Sequence, residues 1–305
     1  MFPDEPSPPL ADVIADHRAV PARVRSWEIR GCDSEGALVG RAICRLDPEH
    51  DATPDLLEAT VFVHPMHRRR GLGSALLDHL LQLARGERRA RVTSWTTSRA
   101  PSGDAFARGH GARAVSHGHI NSLHVHRVDR ALLEQWVTEG PQRAPGYELL
   151  AWDGPVPDQH LVAFADLYNV MNDAPLDDLV MTDYSVTPEQ LREWERRAAA
   201  TSAQTWTVVA RAPDGTLAGF HAVNWRSSQP TIMNVADTGV RSEHRGHALG
   251  KWLKAVVTLR TLDERPSVEE IRTGNADSND AMLGINHAMG YRPLFSSTTW
   301  ELAVE

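Results

Sequence analysis

The segment HRRRGLGSALL, His67–Leu77, joins an apolar, strand-like run to a helix-like one through arginine and glycine. A second version, HRGHALGKWL, returns at His244–Leu253. Arg68 and Arg245 lie 177 positions apart, and two later glycines, Gly111 and Gly290, lie 179 apart. Near-equal offsets at two landmarks describe one folding pattern used twice. For 305 residues that means two halves of ordinary domain size.

Each half reads as the same succession. In the first, ALVGRAICRL and LEATVFV are strand-like, then comes the loop. The next helix puts Leu76, Leu77, Leu80, Leu81 and Leu83 on one stripe. ARVTSWTT follows as a strand, and RAVSHGHINSLHVHRV as paired strands. In the second half, LAGFHAVNW and IMNVADTGV precede the loop. Its helix carries Leu249, Trp252, Leu253, Val256 and Val257 on one stripe. VEEIRTGN is then a strand, SNDAMLGINHAMGY a helix closed by Gly290, and STTWELAV a last strand. VDRALLEQWV is a short helix capped by Asp129, and TEGPQRAPG, Thr138–Gly146, reads as a linker. The second half has room for two early helices, the later one opening on a capping box at Thr187 with Glu189 or Gln190. The first has room for one short helix.

A net charge of −8 argues against broad nucleic-acid or anionic-membrane binding. The arginines near HRRR and ARGERRARV lack interleaved aromatics, so a solvated face or a phosphate contact is preferred to a nucleic-acid patch. Cys32 and Cys44 flank a turn and read as buried free thiols of a reducing cytosol. The opening MFPDEPSPPLADV has no apolar core of a leader, and no stretch reads as a membrane span. The expectation is a cytoplasmic protein, monomer or homodimer. His117, His119, His124 and His126 alternate along one strand, and solvated histidines are preferred there to a metal site.

A strand, a glycine loop and a helix start form an anion site, because the first helical amides have no internal partners and the dipole adds positive potential. GHALGKW is one residue short of a Walker loop and has Trp252 in place of the metal-binding hydroxyl. GLGSAL ends in Leu76 where a dinucleotide fingerprint needs glycine. What remains is Arg68, Gly71 and Gly73, with Arg245, Ala248 and Gly250 as the second copy.

This spacing resembles the acetyl-CoA signature of the GNAT acetyltransferase superfamily, Gln/Arg-x-x-Gly-x-Gly/Ala. NDAMLGINHAMGY resembles the family's later stretch, with Asn279, Gly290 and Tyr291 in place. The resemblance covers nearly all of both halves and is similar to the tandem plan of mycothiol synthase. It implies an α/β (α+β) fold of two tandem GNAT domains. Each is a mixed, mostly antiparallel sheet splayed at the CoA site with flanking helices, the N-terminal copy shortened at its start. The domains are expected at 1–137 and 147–305, with the linker at 138–146.

The resemblance further implies CoA binding by loop amides and strand ends. In the first copy these are Val63, Arg68, Arg69, Arg70, Gly71, Leu72, Gly73 and Ser74. In the second they are Val240, Arg245, Gly246, His247, Ala248, Leu249, Gly250 and Lys251, followed by Asn275 and Asn279. An amine then attacks the thioester directly, so no metal is expected. The family's thiolate acid, a tyrosine, falls at Asn286 here and at Ala107 in the first copy. Either Asn286 donates a hydrogen bond to the sulfur, or water protonates it. Asp237 either receives the ammonium and its proton or holds the splay open. Asn234 lies nearer the family's carboxylate position, and Glu58 is the first copy's carboxylate. Asn172 and Asp173 are candidates for the acceptor wall, with helix capping as the alternative. The expected activity is acetyl transfer from acetyl-CoA to a primary amine of a small molecule, an amino-sugar thiol precursor included, with the second half catalytic. The alternative is a catalytically silent CoA-binding module.

Overall fold

The computed structural model describes residues 8–48 and 53–304. The first seven residues of the acidic, proline-rich opening, read above as no leader, lie outside the described residues. Helix α1 (Leu10–Arg18) is followed by strands β1 (Arg25–Cys32), β2 (Leu38–Leu46) and β3 (Leu56–Val63), then α2 (Leu72–Gly86), β4 (Arg91–Thr97), α3 (Ser102–Gly109) and β5 (Arg113–His124). Helix α4 (Arg130–Arg143) leads to β6 (Glu148–Asp153), α5 (Leu161–Tyr168) and α6 (Pro188–Ala200). The chain closes with β7 (Ala203–Arg211), β8 (Leu217–Arg226), β9 (Ile232–Val240), α7 (Leu249–Glu264), β10 (Glu270–Ala276), α8 (Asp280–Met289) and β11 (Arg292–Ala303).

Two compact units result, and neither is one half of the sequence. The N-unit groups the described residues of Pro21–Gly118, Leu176–Thr182 and Phe295–Glu305. The C-unit groups those of Met1–Val20, His119–Pro175 and Asp183–Leu294.

In the N-unit, β1, β2 and β3 are antiparallel neighbours. β3 meets β4 in parallel only over Leu56–Glu58 against Arg91–Thr93. The far side of β4 pairs with the last strand of the chain, Ser297 opposite Thr97 through Ala303 opposite Arg91. Helix α2 lays the expected stripe on this sheet. Leu76, Leu77, Leu80 and Ala84 are buried against Ala42, Cys44, Leu57 and Val92. Each leucine so buried contributes about 1.5–3 kcal/mol. This single cluster is the unit's core.

In the C-unit, β6 to β9 form an antiparallel meander. β9 meets β10 in parallel over Ile232–Asn234 against Glu270–Arg272. The residues of β5 from His119 on lie beside β10. Both faces are covered. Leu249, Trp252, Leu253 and Val257 of α7, with Leu133 of α4 and Met289 of α8, form one core. Phe164 and Leu167 of α5, with Leu191 of α6, form the other against Val209, Phe220 and Ala222. Helix α1 belongs here too, through Asp16 on Arg226 at 3.0 Å and α1–α6 packing.

The expected sequence of elements holds with three corrections. RAVSHGHINSLHVHRV is one strand ending in a helical turn, Val125–Arg127, and not a pair of strands. The linker reading at 138–146 fails locally, because α4 stays helical through Arg143 with Pro141 inside it. Gly140 is needed there, since a side-chain carbon would meet the Trp252 ring at 2.4 Å. The halves also trade segments: β11 serves the N-unit, while the end of β5 and helix α1 serve the C-unit. Cys32 is exposed and Cys44 buried; both are free. No helix among the described residues is long and apolar enough to cross a membrane.

Candidate active site

The two glycine loops share one backbone. Arg68 donates from Nε to the carbonyl of Val63 at 3.0 Å, and Arg245 does the same to Val240 at 3.1 Å. The chain is left-handed at Arg69 and Gly71 (φ 60° and 82°) and again at Gly246 and Ala248 (88° and 56°). Glycine therefore sits at the second of these positions in one copy and the first in the other, and each loop carries one strained non-glycine. Gly73 and Gly250 serve a different need. A side-chain carbon would meet Phe106 at 3.0 Å in the first copy and Ile285 at 3.2 Å in the second. Both rule-breaking glycines thus admit the later helix against the loop helix.

Neither α2 nor α7 has a side-chain cap, whereas α4, α6 and α8 are capped by Asp129, Thr187 and Asn279. Their first amides have neither an intrahelical partner nor a side-chain cap, which fits a phosphate group. The charges differ. Arg69 and Arg70 are exposed and, among the described residues, make no ion pair. Arg245 is bound to Asp173 at 2.7 Å, and its counterpart Arg68 to the neutral hydroxyl of Ser102 at 3.0 Å. Ser74 is hydrogen-bonded to His110 Nε2 at 2.9 Å. Lys251, the equivalent of Ser74, lies 5.1 Å over the Trp136 ring. A cavity beside the second loop is lined by Trp136, Glu139 and Arg143 of α4 with Ala248 and Lys251.

Beyond their short parallel contacts, β3 parts from β4 and β9 from β10. Asp237 lies on the unpaired stretch of β9, opposite Ala222 of β8. Its carboxyl faces the α5–α6 side and accepts a hydrogen bond from the Tyr168 hydroxyl. Burial pushes the Asp237 carboxyl above its ordinary value, and the Tyr168 bond partly offsets this. Burial, and then the Asp237 charge, push the Tyr168 phenol up. Tyr168 stacks on Phe220 at 5.1 Å and meets the edge of Trp194 at 5.2 Å. Tyr184 joins the same cluster, and its hydroxyl too is raised by burial and then by Asp237.

Asn172 caps no helix. Its Nδ2 donates to the Tyr184 carbonyl at 2.8 Å, and its Oδ1 accepts from the Tyr184 amide at 3.3 Å. Asn169 accepts from Val186 at 2.9 Å. Together they pin the 184–186 segment beside Asp237. Asp173 is spent on Arg245. Asn234 is exposed on β9. Glu58, the first copy's carboxylate, is exposed on the paired stretch of β3 opposite Thr93.

Asn286 is fully buried, donates to Asn275 Oδ1 at 2.8 Å, and leaves its own Oδ1 without a partner. Among the described residues no hydrogen bond joins it to Asp237. Ala107 is its counterpart on α3. Of the histidines, His119 meets Asp277 at 2.6 Å, His124 lies 3.9 Å from Glu270, and His124 and His126 have rings 5.7 Å apart. Among the described residues no group of three His, Cys, Asp or Glu could hold a metal ion.

Four residues escaped the sequence reading. Tyr168 and Tyr184 left no local signal, since only the fold brings them to Asp237. Lys254 had one, a lysine next to the apolar stripe of α7. It is 1% exposed, its Nζ has no hydrogen-bond partner, and burial lowers it to about 7. Buried His221 on β8 is held well below its ordinary value by burial and by Lys254, and bonds Thr238 at 2.7 Å.

Residues 2–112 match the family model described as the acetyltransferase (GNAT) family. The whole chain superposes on a tandem GNAT protein from the clavulanic acid biosynthesis pathway, with a TM-score of 0.81 and 26% identity over 100% of this chain and 91% of that one. It is also similar in fold to a GCN5-related N-acetyltransferase from Sphaerobacter thermophilus (TM-score 0.61, 15% identity, 91% and 81% covered). Another from Kribbella flavida gives a TM-score of 0.54 at 16% identity, with 96% and 95% covered. A search of curated proteins returned no significant match. Residues 2–112 thus match the GNAT acetyltransferase family, and the fold of the whole chain is similar to that of a tandem GNAT protein.

Proposed function

We propose that the chain is an acetyl-CoA-dependent N-acetyltransferase acting on a primary amine of a small molecule, with the chemistry in the second copy. The observation that carries this is Asp237. A carboxylate is half-buried at the parting of two strands, on the strand that feeds an uncapped glycine loop. Among the described residues, the side-chain hydrogen bond it accepts comes from the Tyr168 phenol. A buried carboxylate without a cation is costly, and an arriving ammonium would relieve that cost. Asp237 would orient the ammonium and take its proton, and its raised carboxyl suits it to that task. Loop amides from Arg245 to Lys251, with Val240, Asn275 and Asn279, would hold acetyl-CoA, and the cavity beside Lys251 would admit its far end. No metal is needed for direct attack.

The first loop, from Val63 to Ser74, would hold a second CoA or act as a scaffold, and the duplication boundary would fall within 138–146. The C-unit supports this division, since its helices α5 and α6 pack over the face that carries the Asp237 carboxyl. Buried Asn286 favours the competing reading, a silent CoA-binding module. The test is release of free thiol from acetyl-CoA across phenethylamine, glucosamine, spermidine and lysine, with CoA binding followed by calorimetry. Turnover lost in Asp237→Asn supports the proposal; tight CoA binding with no turnover in the native chain supports the silent module.

A further inference from the structure

Asp237 reaches the α5–α6 side only because β9 changes face along its length. Met233 and Val235, just before it, pack in the core under α7. A regular strand alternates, so Asp237 would follow them onto that side. It does not, because the pairing with β8 slips: Ala222 stands opposite Asp237, and Val223 opposite Val235. Ala236 is the extra residue of a β-bulge. Past it the faces are exchanged. Val240 packs with the α7 core, while a side-chain carbon on Gly239 would meet Val170 of the other core.

The first copy has no such slip. Its β2–β3 pairing runs unbroken from Cys44 opposite Ala59 to Gly40 opposite Val63. Leu57, Ala59, Val61 and Val63 all pack in the α2 core. The copies differ in the same way at the neighbouring residue pair. In the second copy His221 stands opposite Thr238, with the imidazole Nδ1 2.7 Å from Thr238 Oγ1 and the histidine only 2% exposed. In the first, Ala42 stands opposite Val61, 177 positions before Thr238, and two such side chains can form no hydrogen bond.

A bulge beside a functional carboxylate needs fixing. Undone by one residue, it would bring Asp237 opposite His221, on the α7 side where the buried Lys254 amine has no hydrogen-bond partner. The His221–Thr238 bond holds the other register. Burial first, and then Lys254 of α7, keep the imidazole neutral, against a smaller pull from the Asp237 backbone. A neutral ring donates at one nitrogen and accepts at the other, and its bond is strengthened by the dry surroundings.

We propose that His221, through Thr238, is the positioning residue that locks the bulge and so aims the Asp237 carboxyl at the acceptor amine, an assignment that rests on the N-acetyltransferase reading above. The pair touches neither substrate nor CoA. It acts by fixing which face of β9 carries the carboxylate.

The experiment uses the full chain. Thr238→Val gives the second copy the first copy's residue and removes one hydroxyl with little change of shape. It should lower kcat with phenethylamine about tenfold, the worth of one buried hydrogen bond. KM for acetyl-CoA and calorimetric CoA affinity should stay native. Hydroxylamine, already neutral near pH 7, needs less help from Asp237 and should lose less. A general loosening of the fold would harm both acceptors alike. His221→Leu should match Thr238→Val, and the double variant should be no worse than either, since both remove one bond. His221→Asn keeps an amide nitrogen near the Nδ1 position and should recover part of the loss. Native kcat in Thr238→Val and His221→Leu, equal losses with both acceptors, or losses that multiply in the double variant each overturn the assignment while leaving the acetyltransferase reading intact. A native chain that binds CoA and turns over neither acceptor overturns both.

Discussion

The loops at Arg68–Gly73 and Arg245–Gly250 have kept their backbone and lost their surroundings. Two left-handed positions, one arginine-to-carbonyl bond and one close-packed glycine recur in each. Around the first, among the described residues, the arginines make no ion pair, the strand carboxylate is exposed, and α2 packs on one core cluster. Around the second, Arg245 is neutralised by Asp173, the carboxylate is buried under Tyr168, and helices cover both faces. Phosphate binding needs only amides, so loop geometry tolerates changes in side chains. Proton transfer needs a shielded group, so it depends on the wall of α5 and α6. On the function proposed above, the difference would separate a copy that holds an anion from a copy that does chemistry.

The largest effect is expected where geometry is shared. Gly250→Glu drives a side chain against Ile285 and into the loop, and should lower kcat/KM by about 1,000-fold, on the scale of losing positioned donors. Gly73→Glu, against Phe106, should instead lower the number of CoA molecules bound in calorimetry. Activity lost through Gly73→Glu alone would move the chemistry to the first copy. Next comes Lys254, whose counterpart at the loop offset of 177 is buried Leu77. Burial lowers the amine to about 7 from 10.5, so the unfolded chain binds the proton more tightly. The penalty is full below pH 7 and fades as pH rises to the unfolded value. Lys254→Leu should therefore stabilise the chain by roughly 2–4 kcal/mol near pH 6.5 and by much less near pH 10, measured by urea unfolding. An equal gain at both pH values would mean that packing, not charge, sets the difference.

What could be read from the sequence was local. Glycine spacing, the leucine stripe of α2, the Thr187 capping box and the Gly290 helix end are each decided by neighbours within a few residues. The loops were legible for that reason. The exchange of β5 and β11 was not, because each strand has the same alternation whichever sheet it joins. Asp237 was found from its distance to the loop, but its partners were not, since Tyr168 lies 69 positions away and Tyr184 arrives through a segment without periodicity. Asn172 and Asp173 were singled out from their place between the two early helices of the second half. Their bonds, to the backbone of Tyr184 and to Arg245, needed the fold. The 138–146 stretch misled because its prolines and glycines usually end helices, and close packing on Trp252 overrides that tendency.

A smaller effect tests the wall. Tyr168→Phe removes the hydrogen bond that holds the Asp237 carboxyl down against burial. The carboxyl rises further, so the acidic limb of the pH–rate profile should move to higher pH. Turnover on that limb should fall roughly tenfold, the worth of one hydrogen bond to a charged group. An unmoved limb would mean that Asp237 is not the group being titrated.

The smallest effect concerns the one charge that separates the loops most simply. Arg245 faces Asp173 where Arg68 faces Ser102. Both members of the Arg245 pair are about half exposed, so the pair contributes under about 1 kcal/mol to stability. Its larger consequence is on the ligand, because a carboxylate beside the loop opposes an incoming phosphate. Asp173→Ser gives the second loop the first loop's neutral partner. CoA should bind about two- to fivefold more tightly at low salt, with the gain shrinking as salt rises and the melting point changing little. Were Asp173 instead a seat for the acceptor, the same variant would raise KM for the amine and leave CoA affinity where it was.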